Sequence, residues 1–220
     1  MIELENVSKT FGGQVALSNV SLKVERGDMA FITGPSGAGK TTLFKLLYLA
    51  DKPDTGTITI AGCNAADVKS SYIPLLRRNI GVVFQDFKLL NNKTVYDNIA
   101  LTLRIRGFME KEIKERVHSV LKMVNLRHKV DNYPLTLSGG EQQRITIARS
   151  IVGEPTVMLA DEPTGNLDEE NEKEIMRIFK QINAKGTTIL IATHNRMLYK
   201  NTARKVFTLE TGQLKGEEEE

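Results

Sequence analysis

The sequence lacks a second cysteine and any long apolar run. Cys63 is the single cysteine, and one cysteine cannot form an internal disulfide, which fits a reducing compartment such as the cytoplasm. The longest apolar stretches, "TTILIAT" and "IGVVF", are far shorter than the roughly 20 residues that a helix needs to cross a bilayer. We therefore expect a chain that does not span a membrane by itself.

The sequence also has no large excess of positive or negative residues. The chain has 30 Lys and Arg residues against 27 Asp and Glu, a net charge of +3. No basic stripe with interleaved aromatics occurs, so no nucleic-acid partner is indicated. The first residues, "MIELENVSKTF", are acidic where a secretory signal peptide is basic, and we expect a cytoplasmic protein. The last residues, "KGEEEE", form a like-charge run, which predicts a solvated and frayed end.

The remaining composition is that of a folded domain. With 220 residues, 40% of them hydrophobic and 26% charged, the chain can bury the core of one globular domain. "IELENVS" and "VALSNVSLKVE" alternate apolar and polar residues, which is typical of antiparallel strands, and "TITIAG" is expected to join them. Continuously apolar runs indicate buried strands in "MAFITG", "IGVVF", "TVMLAD", "TTILIAT" and "KVFTLE". Helical patterns separate most of these runs, which predicts an α/β fold with a mainly parallel sheet and helices on both faces.

One stretch breaks the alternation of strands and helices. Between Val95 and Val152 only helical patterns occur, and one of them carries an apolar stripe that indicates core packing in preference to a partner-binding face. The stripe consists of Ile113, Val117, Val120, Leu121 and Val124. We predict an inserted helical subdomain over residues 88–152, within a core of residues 1–87 and 153–220.

A glycine-rich loop follows the first buried strand. "GPSGAGKT" fits the phosphate-loop pattern G-x-x-x-x-G-K-[ST] and opens a helical pattern, as that loop requires. Its glycines let backbone N–H groups turn towards phosphate oxygens, Lys40 adds a positive charge, and the Thr41 hydroxyl can bind Mg²⁺. A plain strand-to-helix turn is the alternative. The predicted nucleotide-binding residues are Gly34, Pro35, Ser36, Gly37, Ala38, Gly39, Lys40, Thr41 and Thr42.

A second candidate lies where a buried strand ends in two carboxylates, in "VMLADEPTGNLD". Buried charges must be paired or must hold a metal. Adjacent residues at a strand end point in different directions, so Asp161 can face Mg²⁺ while Glu162 faces an attacking water beside the γ-phosphate. A helix N-cap or a surface turn is the alternative for this stretch.

A third candidate is "LSGGEQQRITIARS", where a serine and two glycines begin a helix. Ser138, Gly139 and Gly140 present a hydroxyl and backbone N–H groups, which suit an anion, but no lysine is there to hold it. The alternative is a capping box with Glu141 at the third helical position. That alternative explains Ser138 and Glu141 but leaves both glycines unexplained.

The chain resembles the nucleotide-binding subunit of an ABC-type ATPase over essentially its whole length. The resemblance rests on four motifs in this order: the glycine loop, the signature segment "LSGGEQQR", "ADEP" and "ATHN". The resemblance implies a RecA-like P-loop NTPase core with an antiparallel β edge and an inserted α-helical subdomain. It also implies a homodimer in which two subunits pack head to tail around ATP, each signature segment closing on the nucleotide of the other. The residues acting in trans would be Ser138, Gly139, Gly140, Glu141 and Asp168.

The same resemblance implies individual roles. Phe11 would stack on adenine, where tyrosine is the common residue, and Gln85 would contact Mg²⁺ and sense the γ-phosphate. His194 would be the switch histidine on the γ-phosphate. The implied catalytic residues are Glu162, His194 and Gln85, and the implied Mg²⁺ ligands are Thr41, Gln85 and Asp161. Because every catalytic position is filled, we expect an ATPase and not an inactive nucleotide sensor.

Within the family, the chain is most similar to subunits that drive an FtsX-like integral membrane partner, which controls cell-wall hydrolysis in bacterial division. This similarity rests on the segments "FQDFKLLNNKTVYDNIALTLRIRG", "EQQR" and "LADEPTGNLD". The ATPases of lipoprotein-release and macrolide-export complexes share "LADEPTGNLD" and are the alternative. Either resemblance implies a peripheral position on the inner face of the cell membrane. Apolar residues after Gln85 predict partner docking, unless they only pin the helical insertion to the core: Phe87, Leu89, Leu90 and Tyr96.

Overall fold

Two β-sheets organise the computed structural model, which describes residues 1–165 and 167–219. The first sheet is antiparallel, in the order β2-β1-β4-β5. Its strands are β1 (Ile2–Phe11), β2 (Gln14–Val24), β4 (Thr55–Ile60) and β5 (Cys63–Asn64). The alternating residues of β1 explain its place, since Ile2, Leu4 and Val7 are buried while their neighbours are more exposed. This sheet is the antiparallel edge that the sequence predicts.

The second sheet has the order β10-β9-β3-β8-β7-β6. Every pair from β9 to β6 is parallel, and only β10 runs antiparallel to its neighbour β9. The strands are β3 (Met29–Thr33), β6 (Ile80–Val83), β7 (Val157–Asp161), β8 (Thr188–Ala192), β9 (Lys205–Glu210) and β10 (Gln213–Glu219). All five residues of β8 are buried, as expected for a central strand covered on both faces.

Helices cover this sheet on both sides. They are α1 (Lys40–Leu47), α2 (Ile73–Arg77), α3 (Val95–Ile105), α4 (Glu110–Met123), α5 (Gly139–Ile151) and α6 (Glu169–Ala184). Ala30 and Ile32 of β3 pack in one apolar cluster with α1 and the antiparallel sheet. Phe31, on the opposite face, packs in a second cluster with α3, α4, α5 and α6. The predicted fold class is therefore confirmed.

Three of the helices, α3, α4 and α5, lie between β6 and β7 in the chain. Side chains begin two of them, because Thr94 and Ser138 each accept a hydrogen bond from the third backbone amide of the helix that follows. All five residues of the predicted stripe on α4 and just beyond it are buried in the second cluster. We propose that residues 88–152 form one helical subdomain on the core of residues 1–87 and 153–220.

The prediction of a frayed tail was wrong. Gln213–Glu219 form β10, which pairs with β9 in a register that places Glu217 opposite Phe207. Backbone hydrogen bonds to an otherwise open sheet edge do not depend on side-chain polarity, so a like-charge run can still form an edge strand. Glu220 lies outside the described residues. Within the described ranges, none of the helices combines the length and the apolar character of a membrane span.

Candidate functional site

A cavity of about 560 Å³ lies at the carboxyl ends of four neighbouring strands, β3, β8, β7 and β6. Gln85 follows β6 by two residues, Asp161 ends β7, and His194 follows β8 by two residues. Parallel strands present their carboxyl ends at the same edge, which is where open α/β sheets bind ligands. The lining residues are Ala16, Ser36, Gly37, Ala38, Gly39, Lys40, Thr41, Thr42, Gln85, Asp161, Glu162 and His194.

Packing requires two glycines of the loop. Gly34 and Gly39 have positive φ angles of 141° and 106°, which L side chains rarely adopt. A Cβ atom at Gly34 would lie 1.9 Å from the Leu209 carbonyl oxygen, and one at Gly39 would lie 2.6 Å from the Ala16 carbonyl oxygen. The loop therefore fits between β2 and the end of β9 only without these side chains. Ala16 could not be predicted from the sequence, since a small residue within a strand carries no local signal.

Lys40 is a buried cation at the first position of α1. Its side chain is 9% exposed, and its Nζ donates hydrogen bonds to the carbonyl oxygens of Gly34, at 2.7 Å, and Pro35, at 3.1 Å. Among the ion pairs of residues 1–165 and 167–219, none includes Lys40. A buried ammonium group held by carbonyl oxygens is suited to an anionic ligand, and the helix N-terminus adds a field of the same sign.

Thr41 and Asp161 meet on the wall of the cavity. The Thr41 hydroxyl donates a hydrogen bond of 3.2 Å to Oδ2 of Asp161. Burial raises the pKa of the Asp161 carboxyl above its usual value of 3.8; the Thr41 hydrogen bond opposes that shift, and the nearby Glu162 charge adds to it. A hydroxyl and a carboxylate oxygen at one point are the ligand type that Mg²⁺ prefers, and the exposed Gln85 lines the same cavity. The donor set therefore fits a divalent cation.

Glu162 and His194 form a second pair on the wall of the same cavity. The His194 Nδ1 atom lies 3.0 Å from Oε1 of Glu162. The Glu162 backbone has a φ of +46°, an uncommon conformation for a non-glycine residue, and its amide donates to the Ala192 carbonyl at 2.9 Å. The carboxylate is only 12% exposed, whereas the imidazole is 68% exposed. This arrangement holds a carboxylate at a fixed point on the cavity wall, where it can orient a water molecule or accept its proton.

Phe11 is not among the residues that line this cavity. It ends β1 and is 46% exposed, and the Lys9 ammonium lies 5.2 Å from the centre of its ring. An exposed aromatic face beside a cation is available for stacking on a flat ligand. Its role on adenine stays a prediction.

The signature segment forms the capping box. The Ser138 side chain accepts from the Glu141 amide at 3.3 Å, and the Ser138 amide donates to Oε2 of Glu141 at 2.9 Å. A Cβ atom at Gly140 would lie 2.1 Å from Oδ1 of Asn171, whereas the nearest atom to one at Gly139 would be 3.8 Å away. Packing within the chain thus explains Gly140 but leaves Gly139 unexplained.

Asn171 connects α5, the helix that follows the signature segment, to the start of α6 through hydrogen bonds. Its backbone and side-chain N–H groups donate to Asp168, which caps α6, at 2.8 and 3.0 Å. The Arg144 side chain on α5 donates to Oδ1 of Asn171 at 3.0 Å. These hydrogen bonds hold the pKa of Asp168 below its usual value. Asn171 is not among the predicted residues, although its place three residues after a capping aspartate is a recognisable signal.

None of the residues predicted to act in trans lines the cavity of its own chain, namely Ser138, Gly139, Gly140, Glu141 and Asp168. The structure therefore divides the predicted nucleotide contacts into two groups. One group surrounds the glycine loop, and the other surrounds the N-termini of α5 and α6.

The residues predicted to dock a partner differ in their surroundings. Leu89 and Tyr96 pack against the apolar core, as the pinning alternative expects, while Leu90 is 41% exposed. The Phe87 carbonyl accepts hydrogen bonds from Thr146 and Arg149 of α5 at 3.3 and 2.9 Å. Docking through these four residues stays a prediction.

A separate groove, which sequence analysis missed, lies between α2, β6 and α3 and has a volume of about 510 Å³. Tyr48 and Phe84 make an edge-to-face contact within it, with ring centres 5.7 Å apart, and Ile105 beside them is 67% exposed. Phe84 lines this groove while the next residue, Gln85, lines the first cavity. The lining residues are Tyr48, Ala50, Pro74, Arg77, Arg78, Ile80, Gly81, Val82, Phe84, Thr102, Ile105, Arg106, Arg149 and Ser150. They come from distant parts of the chain, so no local pattern identifies them.

Comparison with known proteins places these features in a family. Residues 17–165 match the family model described as ABC transporter. The cell division ATP-binding protein FtsE of Streptococcus pneumoniae serotype 2 (strain D39) is 50% identical over 215 residues, which are 97% of this chain and 94% of that protein. FtsE of Escherichia coli (strain K12) is 46% identical over 217 residues, 98% of each chain.

A solved structure is also similar along the whole chain. The ATP-binding cassette MJ0796, as a dimer in a post-hydrolysis state bound to ADP and Pi, superposes with a TM-score of 0.91 at 34% identity. The match covers 100% of this chain and 98% of the cassette.

The pKa shifts of two aspartates predict opposite effects on stability. Asp161 has a raised pKa, so its ionised form destabilises the fold at neutral pH and its protonated form does not. Asp161→Asn should therefore raise the melting temperature at pH 7 without added metal, by about 2–4 °C for each kcal/mol gained. The gain should shrink as the pH falls through the raised native pKa towards the ordinary value of 3.8, because the native carboxyl is then protonated.

Asp168→Asn is the matched control, because the Asp168 pKa is lowered and its ionised form stabilises the fold. This variant should melt lower than the unaltered chain at pH 7, with the difference shrinking as the pH falls through the native pKa. Calorimetry from about pH 2 to 8 measures both differences, because the lowered pKa of Asp168 lies below its usual value of 3.8. A lower melting temperature for Asp161→Asn at pH 7 would contradict the account of the cavity.

Proposed function

The chain belongs to the ABC transporter family, and from that membership we propose that it is the ATP-binding and hydrolysing subunit of a membrane complex that acts in bacterial cell division. The observation that carries the proposal is the single cavity that brings Lys40, Thr41, Asp161, Glu162 and His194 together. Relatives named as cell division ATP-binding proteins, similar over nearly the full chain, support division over lipoprotein release or macrolide export.

We assign phosphate binding to the glycine loop, residues 34–42. Its backbone N–H groups and the N-terminus of α1 face an anion, and Lys40 adds the positive charge that the loop carbonyls now hold in place. Thr41, Asp161 and Gln85 would hold Mg²⁺. When bound, Mg²⁺ would supply positive charge to the phosphates and would remove the cost of the desolvated Asp161 carboxylate.

Glu162 is the group that acts on the attacking water. Its strained backbone and its contact with His194 fix the carboxylate, so that it can accept the proton or orient the water without first reorganising. His194, mostly exposed, would contact the γ-phosphate and keep Glu162 in place. Phe11 would stack on the adenine ring.

The chain works as a homodimer with ATP between the subunits. Ser138, Gly139, Gly140 and Glu141 of one subunit would complete the site of the other, together with Asp168. The dimeric state of the MJ0796 cassette supports this arrangement, as does the position of these residues outside their own cavity. ATP binding would close the dimer, and hydrolysis would let it open.

An FtsX-like integral membrane protein is the proposed partner, so the chain would lie on the cytoplasmic face of the cell membrane. We place the docking of its cytoplasmic segment in the groove between α2, β6 and α3. Because Phe84 lines the groove and Gln85 lines the ATP cavity, movement of the end of β6 would connect partner and nucleotide. By its resemblance to division subunits, the complex would control cell-wall hydrolysis.

Two substitutions separate ATP binding from hydrolysis. Glu162→Gln keeps the shape of the side chain but removes the base, so turnover should fall about a hundredfold or more while an ATP-bound dimer accumulates. Lys40→Ala should weaken ATP binding itself by about tenfold or more, because a charged hydrogen-bond donor is lost. Phosphate release measures turnover, ATP titration measures the affinity for ATP, and light scattering measures dimer formation. Unchanged turnover in Glu162→Gln would remove Glu162 from its role.

The two signature glycines give a second test. Gly139→Ala meets no close atom in the isolated chain, so its melting temperature and ATP affinity should stay unchanged, whereas ATP-dependent dimerisation should be lost where the new methyl group meets the other subunit. Gly140→Ala should instead destabilise the chain by about 1–3 kcal/mol through its clash with Asn171. Full dimerisation of Gly139→Ala, measured in a Glu162→Gln background, would argue against binding in trans.

A third test concerns the docking place. Ile105→Asp puts a charge on an exposed groove residue, so it should abolish capture of the membrane partner without changing ATP hydrolysis by the isolated chain. Leu89→Asp should lower the melting temperature, because Leu89 packs against the core. If the partner instead binds Ile105→Asp normally and a stably folded Leu90→Asp fails to bind, docking lies on the loop after Gln85.

A further inference from the structure

The segment "ATHN" after β8 ends in an asparagine that has no part in the mechanism described so far. Asn195 follows His194, and its side chain is half-buried. Its Nδ2 atom donates to both carboxylate oxygens of Glu172, at 3.0 and 3.2 Å. Glu172 is half-buried in the first turn of α6, where its backbone amide donates to the Asp168 carbonyl at 2.9 Å. The contact therefore connects the loop after β8 to the helix that follows β7.

Two further hydrogen bonds fix the orientation of the Asn195 side chain. Its Oδ1 atom accepts from the Met197 backbone amide at 3.0 Å, and its own backbone amide donates to the hydroxyl of the buried Thr193 at 3.0 Å. A backbone N–H group can only donate, so the side-chain oxygen must face Met197 and the nitrogen must face Glu172. Position 195 thus needs one acceptor and one donor on the same short side chain. An ionised aspartate has the same shape but offers only acceptors.

His194 depends on its neighbours for its position. Its imidazole is 68% exposed, and its Nδ1 atom lies 3.0 Å from Oε1 of Glu162. An exposed ring has little packing to hold it, whereas Thr193 and Asn195 fix the backbone on either side of it. Asn195 does not line the cavity. It can therefore act on the pair of His194 and Glu162 through the backbone of His194 alone.

The start of α6 is a firm anchor for this loop. Asp168 caps the helix and accepts from the backbone and side-chain N–H groups of Asn171 at 2.8 and 3.0 Å. Arg144 of α5 donates to Oδ1 of Asn171 at 3.0 Å, and Ile175, one turn further along, is buried. The hydrogen bonds to Glu172 therefore join the loop to an element that is itself held in place.

We propose that Asn195 and Glu172 are positioning residues for ATP hydrolysis, which hold His194 against Glu162 in the orientation that the reaction needs. The inference rests on the proposed hydrolytic role of Glu162. The contact is a strong one because the acceptor is charged. A displacement of about 1 Å in a catalytic group can lower a rate a hundredfold, while the phosphate-binding loop, residues 34–42, lies elsewhere in the chain. The contact should therefore affect turnover much more than ATP binding.

An exchange of the two functional groups tests the inference. Asn195→Asp keeps the acceptor for Met197 but places a second carboxylate against Glu172, so the contact should break. Combining this change with Glu172→Gln should restore the contact, because the glutamine amide can donate to the new carboxylate. Glu172→Gln alone should keep the contact, since its side-chain oxygen still accepts from Asn195. Measurements at about pH 8 keep the carboxylates ionised.

A matched control is available on the same helix. The Asn125 Nδ2 atom donates to Oε1 of Glu174 at 3.1 Å, and neither residue lines the cavity. Asn125→Asp brings two carboxylates together in the same way, and the backbone φ of +58° at this position is one that aspartate tolerates. Both single changes to Asp should lower the melting temperature. Only Asn195→Asp should also lower turnover.

Phosphate release at saturating ATP measures turnover, ATP titration measures affinity, and calorimetry measures the melting temperature. Asn195→Asp should hydrolyse ATP at least about tenfold more slowly than Asn125→Asp does, with the same ATP affinity. The double variant Asn195→Asp/Glu172→Gln should recover most of the lost rate. Equal turnover of Asn195→Asp and Asn125→Asp overturns the inference, and so does a loss that the double variant does not recover.

Glu162→Gln separates the possible failures. If Glu162→Gln is inactive while Asn195→Asp is fully active, the proposed hydrolytic role of Glu162 stands and the positioning inference is wrong. A contact with a structural role alone gives this result together with a lowered melting temperature of Asn195→Asp. If the unaltered chain hydrolyses ATP no faster than Glu162→Gln does, the proposed function itself fails, and the inference fails with it.

Discussion

Parallel pairing of β3, β8, β7 and β6 is the constraint on which the rest of the structure depends. It places the ends of four buried strands at one edge, so residues as far apart in the chain as Ser36 and His194 share one cavity. The loop after β3 can pack there because Gly34 and Gly39 carry no side chain to meet the carbonyls of neighbouring strands. The cavity is thus a consequence of strand order and of two close backbone approaches.

The same edge holds groups that a stable apolar fold would avoid. Lys40 is buried against carbonyls, Asp161 is desolvated, and Glu162 has a positive φ angle. Proteins tolerate such features where function needs them and the surrounding packing supplies the stability. Four arginines line the groove, and their guanidinium groups donate to backbone carbonyl oxygens. The two places where we propose that other molecules bind meet at the end of β6, where Phe84 lines the groove and Gln85 lines the cavity.

Much of this could be predicted from sequence because the signals are local. Three features each lie within one short stretch of the chain, so local backbone geometry is enough to interpret them. They are the glycine loop, the two carboxylates at the end of β7 and the apolar stripe of α4. Contacts between distant residues could not be predicted. Asn171 reaches Gly140 only because α5 and α6 pack together, and the groove combines Tyr48, Phe84 and Ile105 from separate elements. The acidic tail was misjudged because its role is set by the open edge of β9 and not by its own charges.

The central claim is that each ATP site needs two chains, and complementation tests it most directly. Lys40→Ala lacks the phosphate-binding lysine, and Ser138→Arg blocks the signature segment, so neither variant should hydrolyse ATP alone. Random pairing of the two should restore about a quarter of the unaltered rate, because half of the dimers are mixed and each mixed dimer has one complete site of two. The account predicts that recovery when equal amounts are mixed. A mixture no more active than its separate components would show that the signature segment does not complete the site of another chain.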